Sequence, residues 1–192
     1  MIQPLTRLLP ALLCALLAAC SLAPPVQQNT TTYYDLPAVS VESGGALRSL
    51  DVVPSSWLAG TAMYYRLAYT DGNRREHYAG SRWSAQPAEL LTIRLQRSLM
   101  SGTDGVGVGC RLRFDLDDFT QVFDSAQSSR MVLEGRATLY GAQQVVLARR
   151  TVSLSQAAGT DASGGVVASG PLAAELVREL RGWVAQACRK PA

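Results

Sequence analysis

The chain has 192 residues, 47% of them hydrophobic and 17% charged, which is enough apolar material for one domain with a buried core. Its formal net charge of +3 is spread along the sequence without a basic block, and every basic residue except Lys190 is arginine, so nucleic-acid binding has no electrostatic support. With His77 as the single histidine and no closely spaced cysteine pair, a zinc site is excluded as well.

The N-terminus reads as a bacterial lipoprotein signal over residues 1–19. Arg7 and the terminal amine supply positive charge, Leu8 to Ala18 supply an apolar run interrupted by Pro10, and Leu17-Ala18-Ala19 leads into Cys20. That run is shorter than the roughly 20 apolar residues a membrane span needs. The Leu-Ala-Ala-Cys pattern resembles a lipobox, and the resemblance implies that Cys20 carries a thioether-linked diacylglycerol and becomes the acylated N-terminus. Two or three acyl chains make a lasting anchor where one holds only marginally. Ser21 occupies the place where an aspartate would retain the protein at the inner membrane, so the resemblance implies the outer membrane. The alternative is an ordinary secretory cleavage site. Residues 20–32 form a lipidated tether, with Pro24-Pro25, Gln27-Gln28-Asn29 and a threonine run. Asn29-Thr30-Thr31 matches a glycosylation sequon, which has no bearing behind a bacterial lipobox.

Residues 33–192 read as a single domain. Tyr33-Tyr34-Asp35-Leu36 is an edge strand stopped by Pro37, and Leu47 to Val53 is a strand ending at Pro54. Ala62–Tyr69 and Arg75–Trp83 flank Asp71-Gly72-Asn73, a hairpin signal because glycine and asparagine tolerate positive φ. Pro87 and Glu89 suit the first turn of a helix striped by Leu91, Leu95 and Leu99 and ended by Gly102. In Cys110–Phe119, Cys110, Leu112, Phe114 and Leu116 alternate with charged residues until Asp118 breaks the period, which predicts a strand with a bulge. Met131–Tyr140 and Gln144–Leu154 form a second hairpin about Gly141-Ala142-Gln143. A flexible stretch, 159–170, precedes a final helix whose stripe is Ala173, Leu176, Val177, Leu180, Trp183, Val184 and Ala187. Strands, helix, strands, helix predicts an α+β fold: a largely antiparallel sheet with two helices packed on one face.

Sites follow from residue chemistry. Cys14 leaves with the signal and Cys20 carries lipid, so Cys110 and Cys188 remain as a disulfide or as two buried thiols. No nucleophile elbow, metalloprotease helix or Ser-x-x-Lys motif accompanies His77, which reads as a solvated strand residue, and no enzyme activity is expected. Asp115, Asp117 and Asp118 read as a wet strand face before they read as a calcium site. Gly105-Val106-Gly107-Val108-Gly109 precedes a strand where a phosphate loop would open a helix, so it is a connector. No metal or other cofactor is implied. Tyr64, Tyr65, Arg66, Tyr78 and Trp83 gather aromatic and guanidinium groups on one hairpin, either as packing or as a partner-binding surface, because these residue types are the usual interface anchors.

Taken in order, the lipobox at Cys20, Tyr34-Asp35-Leu36, Val52-Val53-Pro54 with Leu58, Tyr64-Tyr65-Arg66, Tyr78, Trp83, Pro87, Leu90-Leu91, Leu112-Arg113-Phe114, Phe119-Thr120-Gln121-Val122-Phe123 and the helix near Trp183 resemble the ABC-type transport auxiliary lipoproteins, the PqiC-like family. The weight lies in their collinearity over nearly all of residues 20–192. The resemblance implies a non-catalytic outer-membrane subunit on the periplasmic face that docks an MCE-domain protein and its ABC permease and ATPase, serving phospholipid transport between membranes. Whether it touches lipid or forms a homo-oligomer stays open, and a different envelope-assembly or protein-binding lipoprotein is the alternative. The Cys110 and Cys188 pair is a departure from the family pattern.

Overall fold

Alternating apolar and charged residues give the chain its strands, and two apolar stripes give it the long helices that cover one face of them. A computed structural model describes residues 30–38, 47–100 and 109–188. The elements are β1 (Thr32–Tyr34), β2 (Leu47–Pro54), β3 (Ala62–Leu67), the single turn α1 (Ala68–Asp71), β4 (Glu76–Trp83), α2 (Pro87–Leu99), β5 (Cys110–Ser125), β6 (Ser128–Tyr140), β7 (Val146–Ala158) and α3 (Ala162–Ala187). Short 3-10 turns lie at Ser56–Leu58 and Ala142–Gln144. Residues Thr31 to Ala192 group as one compact unit. The signal sequence, Cys20, Gly102, residues 105–108 of the glycine-valine run and Lys190 lie outside the described residues.

The fold is α+β, with an open, mixed seven-stranded sheet ordered β1-β4-β3-β5-β6-β7. The two longest ladders, β5 with β6 and β6 with β7, are antiparallel. Strand β5 is long enough to serve two partners along its other edge. Its first half pairs in parallel with β2, and residues 121–123 pair in parallel with β3, so β2 and β3 lie end to end beside it. The alternation in β5 holds as far as Leu116. The expected irregularity is there, between Leu116 and Asp118. Beyond it the strand runs six residues past its expected end at Phe119, with every side chain from Asp118 to Phe123 buried on both faces.

Helices α2 and α3 pack on one face. Leu91, Leu95, Leu176 and Leu180 are fully buried there against Leu112, Phe114, Leu116, Leu133 and Leu139. At about 25 cal/mol per Å² of apolar area removed from water, this shared layer is the main stabilising term of the fold. Helix α2 ends at Leu99, short of Gly102, where Met100 turns extended.

Residues 162–170, expected to be flexible, belong to α3. The Asp161 carboxylate accepts the Gly164 N–H at 2.7 Å and caps the helix, and burial on the sheet outweighs the poor helix propensity of the glycines. A side chain at Gly165 would collide with the Gln121 amide, so glycine there lets helix and sheet approach closely. The first hairpin forms, but without the positive φ expected of its turn. Gly72 is right-handed, and the Asp71 carboxylate instead accepts the Asn73 N–H at 3.0 Å. Positive φ occurs in the second hairpin, at Gln143 (53°) and Gln144 (64°), so β7 begins at Val146 and not at Gln144.

Candidate functional site

Neighbouring residues on a strand face opposite ways, so the aromatic hairpin is divided between the two faces of the sheet. Tyr65 pairs with Glu76 across β3 and β4, its hydroxyl donating to Glu76 Oε2 at 2.8 Å. Its ring lies 4.8 Å from Tyr78 and 6.0 Å from Phe123. The Tyr78 hydroxyl donates to Gln121 Oε1 at 3.0 Å. Gln121 in turn donates to Ser129 Oγ at 2.8 Å and to the Gly159 carbonyl at 2.6 Å, which ties β5 to the turn that opens α3. Burial pushes the Tyr78 phenol well above its ordinary value, and the hydrogen bond to Glu76 raises Tyr65. These two tyrosines therefore anchor the helix-covered face.

Trp83 is 2% exposed, with its ring 5.5 Å from Phe119. It is core and cannot contact a partner. Its position at the end of β4, beside Tyr34 of β1, turns it into the layer between sheet and helices. Just before it β4 bulges by several residues, since Tyr64 pairs with His77 but Ala62 pairs with Arg82. The Arg82 guanidinium donates to the carbonyls of Tyr78, Ala79 and Ser81 and holds that bulge shut.

Tyr64, Arg66 and His77 lie on the other face, which the helices leave uncovered. Tyr64 faces His77 across the ladder, rings 6.4 Å apart, and on its other side meets Trp57 edge-on at 5.1 Å. The Arg75 guanidinium stacks 3.5 Å from the centre of the Trp57 ring. Arg75 and His77 are exposed, whereas Trp57 and Tyr64 are half-buried. Arg66 reaches Asp118 at 2.6 Å, and Asp118 also accepts from the Thr120 hydroxyl. The result is a row, Arg75-Trp57-Tyr64-His77, that offers flat apolar area with polar rims. Such residues lose little entropy when a partner covers them. Trp57 lies outside the hairpin strands, and Arg75, at the start of the second, is not among the residues singled out from sequence. The signal available was a large aromatic set directly after a proline-ended strand, in Pro54-Ser55-Ser56-Trp57.

Asp115, Asp117 and Asp118 of β5 are each engaged by a separate arginine: Asp115 by Arg113 at 2.8 Å, Asp117 by Arg136 at 3.0 Å and Asp118 by Arg66. Hydrogen bonding to those carboxylates raises Arg113 and Arg136 further. No group of three or more potential metal ligands occurs among the described residues. Cys110, at the start of β5, and Cys188, just past α3, form a disulfide with their Cα atoms 6.1 Å apart. No helix among the described residues is long and apolar enough to cross a membrane.

No family model matches the sequence, and no curated protein does. Solved structures do match. A Xanthomonas campestris protein of the DUF330 family aligns with a TM-score of 0.65 at 17% identity, covering 79% of this chain and 94% of its own. An uncharacterized protein of known structure aligns with a TM-score of 0.62 at 16% identity, covering 81% and 99%. At such identities the likeness establishes a shared fold.

Proposed function

We propose that this chain is a lipid-anchored auxiliary subunit on the periplasmic face of the outer membrane, docking an MCE-domain protein and its ABC transporter for lipid transport, without catalysis of its own. The observation that carries the reading is the fold, shared with a DUF330 protein over nearly all of that protein's length, because DUF330 is the PqiC-like family that the sequence resembles. The lipobox at Cys20 supplies the anchor, and the tether to residue 32 lets the domain stand off the membrane. The helix-free face supplies the contact surface through Trp57, Tyr64, Arg75 and His77. The oxidising compartment this places the protein in agrees with a Cys110–Cys188 bond.

The test is affinity purification of the full-length lipoprotein from detergent-solubilised envelope, with mass spectrometry of co-purifying proteins and lipids. Recovery of an MCE protein and its permease is expected, and Arg75→Glu with His77→Glu, both exposed on that row, should reduce the recovery while leaving thermal melting unchanged. An intact outer-membrane protein that brings down neither component would overturn the transport role. Cys20→Ala should leave an uncleaved precursor that misses the outer membrane, and normal fractionation of that variant would overturn the anchor.

A further inference from the structure

The sheet ends differently at its two long margins. At β2, helix α2 covers the edge: Gln96 Nε2 donates to the Leu50 carbonyl at 3.2 Å, and Met100 bridges to Leu47. At β7, helix α3 packs over one face of the strand but leaves its outer edge without a strand partner among the described residues. This strand runs 13 residues without a proline, pairs with β6 on one side, and carries no strand on the other among the described residues. A row of outward amides and carbonyls is thereby left as a template for one more strand.

The edge has a charge. Its two ionic residues are Arg149 and Arg150, and the second is tied to Glu179 of α3 at 2.8 Å. Arg149 faces the opposite way, beside Thr138 across the ladder, and makes no ion pair among the described residues. It borders a depression of about 480 Å³ on the helix-free face, lined also by Asp115, Arg136, Thr138 and Thr151. There Asp115 and Arg136 are already engaged, by Arg113 and Asp117. Among the described residues of this edge, the exposed cation without an ion pair is Arg149.

We propose that β7 takes up an extended acidic segment of a partner protein as an additional strand, backbone pairing to the free edge while a carboxylate on alternate residues meets Arg149. Backbone pairing would supply affinity and the alternate side chains specificity, as in strand addition elsewhere. Charge decides between occupants: a second copy would bring an equally cationic strand to the same edge, whereas an acidic strand complements it. This surface lies across the sheet from the β3 and β4 hairpin and does not depend on the transport role.

The test uses the full chain in detergent and a labelled decapeptide alternating valine and glutamate, read by fluorescence anisotropy and by hydrogen exchange. Saturable binding with new protection confined to residues 146–158 is expected. Arg149→Glu should weaken binding by roughly tenfold, a methylated-backbone version of the peptide should not bind, and a valine and lysine peptide should bind more weakly than the acidic one. Equal binding of the methylated or lysine peptide would overturn the proposal, as would no binding at millimolar peptide. A dimer protected at 146–158 in the absence of peptide would assign the edge to a second copy instead and overturn it equally.

Discussion

The two faces of the sheet are made by the same strands from opposite chemistry. Phe114 and Asp115 are neighbours in β5, yet Phe114 is wholly buried under the helices while Asp115 pairs with Arg113 at the surface. On the covered face Leu112, Leu116, Leu133 and Leu139 join Leu176 and Leu180 without exposure. On the open face Asp51 with Arg111, Asp115 with Arg113 and Asp117 with Arg136 form a solvated ionic row. Burial of apolar area stabilises; exposed ion pairs contribute little and are screened by salt. One face therefore holds the fold, and the other is free to be used.

That contrast can be broken most severely through the covalent tie on the covered face. Cys188→Ser should cost about 4 kcal/mol, the chain-entropy ceiling for closing a loop between residues this far apart. Thermal unfolding with and without reductant checks it, and identical melting of the wild type in both would show that the bond contributes nothing. Leu176→Ala, fully buried on the same face, should cost about 3 kcal/mol in denaturant titration through lost transfer and a residual cavity. A loss below about 1 kcal/mol would mean that the helix collapses into the space.

Alkali probes the covered face where Tyr78 and Gln121 meet the turn that opens α3. Both Tyr78 and Tyr65 are raised above the ordinary 10.0, by burial and by the Glu76 hydrogen bond respectively, so above that pH the unfolded chain loses phenolic protons before the folded one does. Stability should be level below about pH 10 and fall as pH rises beyond it. Tyr78→Phe should flatten the fall, and parallel decline of variant and wild type would exclude this cause. The smallest effect belongs to the open face: Asp117→Asn should leave the melting temperature unchanged, and a clear drop would mean that the ionic row is structural.

Much of this was legible in residues 110–117, where strict alternation announces a half-buried strand and Asp118 announces its bulge. Legibility failed where burial became two-sided. Phe119 to Phe123 has no period because β3 pairs along this stretch and Arg66 reaches over the helix-free face to Asp118, so both faces are buried. It failed again at residues 162–170, because a helix rich in glycine is selected by close packing on Gln121 and not by propensity. In the candidate surface, Tyr64 and Arg66 were nameable from sequence, but which tyrosine faced outward depended on register, and register on parallel strands far apart in the chain. Trp83 looked like an interface residue because aromatics serve cores and contacts alike.

The end-to-end placement of β2 and β3 along one edge of β5 carries a consequence for the order of folding. Strands β5, β6 and β7 close locally through short turns, but Leu47 finds its register against Cys110, and Tyr65 against Gln121. Loop-closure entropy makes such distant parallel pairings late events. The first strands of the domain to be synthesised are then among the last to be secured, and β2, which pairs with no strand but β5, must wait in unpaired form for a template made after it. Pulse-labelled hydrogen exchange should find amides of β6 protected before those of β2, and simultaneous protection would show that the sheet condenses as one unit.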